Sequence, residues 1–74
     1  MINDIQMASR VSELFLNINE QLTQSIHEVE DASTHEEFEN YRRRVGTLIY
    51  STFEQILIPI YRRHPSLKPP ELEI

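Results

Sequence analysis

Three short groups of residues carry side chains able to bind or react. The first is Arg42-Arg43-Arg44, three guanidinium groups at consecutive positions. Arginine presents its donors in a planar fork that suits phosphate and carboxylate. On a helix each successive residue turns through about 100°, so the three fan out rather than form one patch. Glu39 precedes Arg42 by three residues and Arg43 by four, and can pair with one of them at a time. Arg44 has no acid at that spacing in its own segment. The group reads first as a solvated, partly salt-bridged surface, and second as a candidate anion contact through Arg42, Arg43 and Arg44.

The second group, Arg62-Arg63-His64, stands just before Pro65. Positive side chains at a helix end complement the negative pole of its dipole, which accounts for them without a ligand. The third is His27 and Asp31, four residues apart, followed by His35, Glu36 and Glu37. Imidazole and carboxylate are the ligands a zinc or similar ion needs. The inward Glu and Glu-x-x-His pattern of metal-binding bundles is absent, however, and no metal is assigned.

Catalytic signatures are lacking. There is no glycine-rich phosphate loop, no Gly-x-Ser-x-Gly elbow and no His-Glu-x-x-His. The chain has no cysteine, which removes thiol catalysis, thiolate metal sites and disulfides together. Its carboxylates fall at solvated positions, where nothing separates their pKa values into acid and base. The expectation is a protein that is not an enzyme and uses no cofactor. Lys68-Pro69-Pro70 is a weak proline-rich ligand, because no second proline stands at Pro-x-x-Pro spacing.

Twelve acidic and seven basic residues give a net charge of −5, which opposes general binding to nucleic acid. The longest apolar run, Ile56-Leu57-Ile58-Pro59-Ile60-Tyr61, is far below the ~20 residues needed to cross a bilayer. The opening residues, Met1-Ile2-Asn3-Asp4-Ile5, do not read as a secretory signal. A cytoplasmic protein with no membrane contact is expected.

The elements that must position these side chains are helices. Gly46 is the only glycine, too few for a fold built on β-hairpins, and no proline occurs before position 59. Ala8, Val11, Phe15, Ile18, Leu22, Ser25, Val29 and Ala32 recur in steps of three and four, the period of one helix face. Leu14 and Ile26 widen that stripe, while Arg10, Glu13, Asn17, Asn19, Gln21, Gln24 and Glu28 form a solvated face. This predicts a first helix over about 4–31. Ser33 and Thr34 are each followed three residues later by a glutamate, so either can open a capping box and start a second helix. So short a connection predicts an antiparallel hairpin.

The second helix, about 35–63, carries one stripe through Phe38, Tyr41, Val45, Leu48, Thr52, Ile56 and Pro59. A second stripe beside it runs through Ile49, Phe53, Leu57, Ile60 and Tyr61. Pro59 cannot donate to the Gln55 carbonyl and its ring crowds it, which predicts a kink. Residues 65–74 are expected as an extended tail after the 1–64 hairpin, with Leu67, Leu72 and Ile74 able to dock on it.

From Leu48 to Tyr61 the second helix is apolar around more than half its circumference, more than one partner helix can cover. Two copies would make a four-helix bundle. The expected interface is Leu48, Ile49, Tyr50, Phe53, Leu57, Ile60 and Tyr61, unless the tail folds back over it. The function expected is a homodimeric protein–protein interaction module of adaptor, regulator or inhibitor type. The alternative is a bundle that binds a small anion or a divalent metal, and the third reading is a nucleic-acid-associated regulator.

Overall fold

The computed structural model describes residues 1–72, so Ile74, one of the expected docking residues, lies outside the described residues. The described chain is all-helical and has no strand. Helix α1 spans Ile5–Ala32 and α2 spans His35–Thr52; a π-turn at Phe53–Leu57 leads into α3, Ile58–Arg63, and Pro65–Leu67 forms a 3-10 turn. Thr52, Leu57 and Ile58 all keep right-handed helical dihedrals. Helical backbone therefore runs unbroken from His35 to Arg63 as one second helix. The molecule is a rod of 45 × 19 × 16 Å.

Both helix starts are closed by side chains. Asp4 accepts the backbone N–H of Gln6 at 2.8 Å and that of Met7 at 3.3 Å. At α2 the capping box is the Thr34–Glu37 pair. The Glu37 N–H donates to Thr34 Oγ1 at 3.2 Å, and the Thr34 N–H donates to Glu37 Oε1 at 2.9 Å. Ser33, the other candidate, ends α1 instead. With Ser33 and Thr34 as the whole connection, the helices return antiparallel. The cross-helix hydrogen bonds agree: Ser12 meets Tyr61, Asn19 meets Thr52 and Ser25 meets Tyr41.

The π-turn decides what the second helix buries. Its closing bond runs from the Ile58 N–H to the Phe53 carbonyl, five residues back. Such a turn holds one more residue than an α-turn, so everything beyond it is rotated by about 100°. Val45 faces the core. Continued as a regular α-helix from Val45, the chain would carry Leu57 and Tyr61 more than a right angle away from that direction. With the extra residue, Leu57, Ile60 and Tyr61 all turn inward and are buried. Pro59 follows directly, and its missing N–H is the one that would have bonded Gln55 in an uninterrupted α-helix.

The core is small: Ala8, Leu57, Ile60 and Tyr61 form its centre. Residues 65–72 do not stand off as an extended tail. The backbone folds back through Leu67 N–H to the His64 carbonyl at 3.0 Å and Leu72 N–H to the Pro69 carbonyl at 3.1 Å, and Leu67 and Leu72 pack on the core. Ile2 packs there too, with a left-handed φ of 54°. That conformation costs a β-branched residue on the order of 1–2 kcal/mol. The half-buried Ile2 side chain and a 2.8 Å hydrogen bond between its carbonyl and His64 Nε2 hold it in place.

Candidate functional site

The seam between the helices is lined by polar as well as apolar side chains. Ser12 and Asn19 are buried, at 4% and 6% exposure. This corrects the expectation that Asn19 lies on the solvated face. The Asn19 Nδ2 donates to Thr52 Oγ1 at 2.8 Å, and the Thr52 hydroxyl lies 2.8 Å from the Ile49 carbonyl and 3.1 Å from Asn19 Oδ1. A hydroxyl has one proton, and the shorter contact, to Ile49, takes it. Likewise Ser25 donates to the Leu22 carbonyl at 2.6 Å, so in the 2.8 Å Ser25–Tyr41 contact the tyrosine is the donor. No buried side-chain nitrogen or oxygen is left unpaired among the described residues.

These pairs select how α1 is rotated about its own axis. Its apolar arc is broad enough to accept several rotations, but only one brings Ser12 to Tyr61 and Asn19 to Thr52. In that rotation Leu14, expected to widen the buried stripe, is left 54% exposed, with Met7 at 46%. Leu48, expected on the first stripe of the second helix, is 57% exposed.

Leu14 and Leu48 lie on the same flank of the hairpin. The Ser25–Tyr41 hydrogen bond marks one flank of each helix. Seven residues, two helical turns, carry α1 back from Ser25 to Ile18 and α2 forward from Tyr41 to Leu48. In antiparallel helices these are the same direction along the rod. Ile18 is half-buried, and Leu14 lies one turn further along and outward. The flank thus presents Ile18, Leu14 and Leu48, with Arg44 one turn before Leu48.

The seven expected interface residues separate into three environments. Leu48 and Tyr50 are exposed, Ile49 and Phe53 are half-buried, and Leu57, Ile60 and Tyr61 are buried within the chain itself. The last three are therefore core residues, turned inward by the π-turn and covered in part by Leu67 and Leu72. Tyr50, 68% exposed, lies two residues from Leu48 and so nearly across the helix from it.

The arginine group is held apart, as fanning predicts. Arg42 donates to Glu39 at 2.8 Å, and Arg44 Nε donates to Asn40 at 3.1 Å. The Arg42 hydrogen bond holds the Glu39 carboxyl below the usual carboxylate range, and Arg42 is raised in turn. Glu37 is also held low, first by the Thr34 backbone N–H and then by its hydroxyl. His27, Asp31 and His35 are exposed, and among the described residues no three His, Asp or Glu side chains converge on a point. No described helix is long and apolar enough to cross a membrane. Ser12 and Asn19 are the seam residues that sequence reasoning missed. Their signal is a seven-residue spacing within the run Ala8, Phe15, Leu22 and Val29, a heptad seam with polar members.

No family model matches this chain, and neither a curated protein nor a solved structure is significantly similar to it.

Proposed function

We propose that the chain is a self-associating helical interaction module, and that the Leu14–Ile18–Leu48 flank receives a second copy of it. The observation that carries this reading is the pair of half-exposed leucines brought to one flank. A chain of this size with so small a core gains stability from a partner surface. Covering about half of each leucine gives ~1 kcal/mol per side chain, so the four in a twofold pair give ~4 kcal/mol. The rest of the flank adds to this, and the lost translational and rotational freedom of association subtracts from it, so the pairing depends on concentration.

Charge favours the antiparallel arrangement of the two rods. Glu28, Glu30, Asp31, Glu36 and Glu37 crowd the turn, whereas at the open end Arg10, Arg62, Arg63 and Lys68 are balanced by Asp4, Glu13, Glu54 and Glu71. Parallel rods would set the two acidic turns together; antiparallel rods set the acidic turn of each beside an end whose charges balance. The outer face then keeps Arg43 and Tyr50, seven residues apart and both exposed. Arginine and tyrosine are the residue types that anchor protein interfaces, and this face is the one a different protein would take.

Absolute molar mass, measured by light scattering over a hundredfold range of concentration, tests the pairing. The expected mass rises towards twice the 8.8 kDa chain, and Leu14→Glu with Leu48→Glu holds it at one chain without loss of helicity. A wild-type mass of one chain throughout overturns the reading. So does a dimer that tolerates both glutamates.

A further inference from the structure

Beyond self-association, the geometry points to a second site: we propose that a cleft between α3 and the returning 65–68 segment binds a small amphiphilic carboxylate, one charged end on an apolar body. The cleft is about 180 Å3 and is lined by Ile58, Tyr61, Arg62, Pro65 and Lys68. A cavity of about 150 Å3 accommodates benzene, so the space matches a single ring or a short branched chain.

The lining has the two characters such a ligand needs. Ile58 and Pro65 supply an apolar wall, with the buried Tyr61 behind it. Arg62 and Lys68 supply two cations, and neither has a carboxylate at ion-pair distance among the described residues. Arg42 differs, being engaged by Glu39. Lys68 is half-buried, so its methylene stem lies along the cleft while the charged head can turn to an anion placed there.

The walls are formed before any ligand arrives. Tyr61 is fixed by its 2.8 Å hydrogen bond to Ser12 and is almost fully buried, so it does not shift to make room for a ligand. The turn carrying Pro65 and Lys68 is closed by the Lys68 N–H to the Pro65 carbonyl at 3.2 Å and anchored by Leu67 on the core. A preformed cleft avoids the ordering penalty of binding. Inorganic phosphate offers charge but no apolar body, and a neutral ring offers the body without the charge. The cleft therefore selects ligands that have both.

The probes are benzoate, benzyl alcohol and inorganic phosphate, each titrated into the full chain while backbone amide resonances are followed by NMR. Benzoate is expected to shift resonances confined to residues 58–68, with a dissociation constant on the order of 1 mM. Arg62→Gln and Lys68→Gln should each weaken it about tenfold, the loss of one charge-assisted hydrogen bond, while leaving the thermal midpoint unchanged. Benzyl alcohol and phosphate should bind at least tenfold more weakly than benzoate in the wild-type chain. The proposal is overturned if benzoate shifts nothing in this segment, or if either control equals it. It is overturned equally if both charge variants bind benzoate as the wild type does.

Discussion

The Asn19 amide donates to the Thr52 hydroxyl at 2.8 Å across the seam, with Asn19 only 6% exposed. A buried amide beside a single partner helix is a demanding choice, since it is satisfied in one helix rotation and register only.

Breaking this pair from one side should therefore be worse than removing it from both. Asn19→Ala leaves a small cavity and strips Thr52 of its donor, and is expected to cost about 1–2 kcal/mol in urea unfolding. Asn19→Leu with Thr52→Val removes the polar atoms together and should recover most of that loss. The recovered stability is expected to come with lost uniqueness, read as broadened or doubled amide resonances, because apolar residues no longer fix the rotation of α1. A double variant that is both stable and singly folded would show that the polar pair does not specify the rotation.

The π-turn yields a second expectation, about deletions. Taking out exposed Glu54 shortens Phe53–Leu57 by the one surplus residue and lets it close as a regular α-turn. Leu57, Ile60 and Tyr61 then keep their inward direction. The cooperative thermal transition should survive, within about 1–2 kcal/mol of the wild type. Deleting Thr47 from α2 instead rotates Leu48 through Phe53 by about 100°, even when closure of the π-turn restores the residues beyond it. Thr52 is then separated from Asn19, and the chain should lose far more stability than with the Glu54 deletion. Circular dichroism melts of the two deletions decide the matter, and equal damage from both would refute the rotation argument.

The capping box makes stability fall in acid. Glu37 has a folded-state pKa below its ordinary 4.5, chiefly because the Thr34 N–H donates to it. A depressed carboxyl pKa contributes stability that is full above about pH 4.5 and is lost as pH falls through the lower folded value. Chemical unfolding from pH 6 down to pH 3 should show the wild-type chain losing stability relative to Glu37→Gln below about pH 4.5. Thr34→Ala should lower stability at neutral pH by about 1 kcal/mol, as for other helix caps. Parallel curves for wild type and Glu37→Gln would remove the carboxylate from this account.

Much of the architecture was legible in the sequence. Steps of three and four from Ala8 to Val29, the Thr34–Glu37 box and the absence of early proline are local signals, and they gave both helices and the turn. The rotation of α1 was not legible. Its apolar residues, from Leu14 round to Leu16, span more than half the helix, so hydrophobicity alone left Asn19 on the wrong face and Leu14 in the core. The π-turn was hidden for a different reason. Nothing in Phe53-Glu54-Gln55-Ile56-Leu57 marks a surplus residue, and only the burial of Leu57, Ile60 and Tyr61 reveals it. Those three read as an interface because a regular helix would have left Leu57 and Tyr61 facing away from the core. The clustering of Leu14 with Leu48 required the register set by Ser25 and Tyr41, a relationship sixteen residues apart that no local pattern encodes.

The bond from His64 to the Ile2 carbonyl, with Arg63 Nε donating to Asn3 Oδ1 at 3.3 Å beside it, ties the residues just ahead of α1 to the end of α3 at one pole of the rod. The start of α1 and the end of α3 share that pole, while the Ser33-Thr34 corner points the opposite way. The hairpin thus behaves as a plug with both leads at one end. A circularly permuted chain, its old ends joined by a short glycine linker and new ends opened between Ser33 and Thr34, would trace the same rod with its leads transferred to the acidic pole.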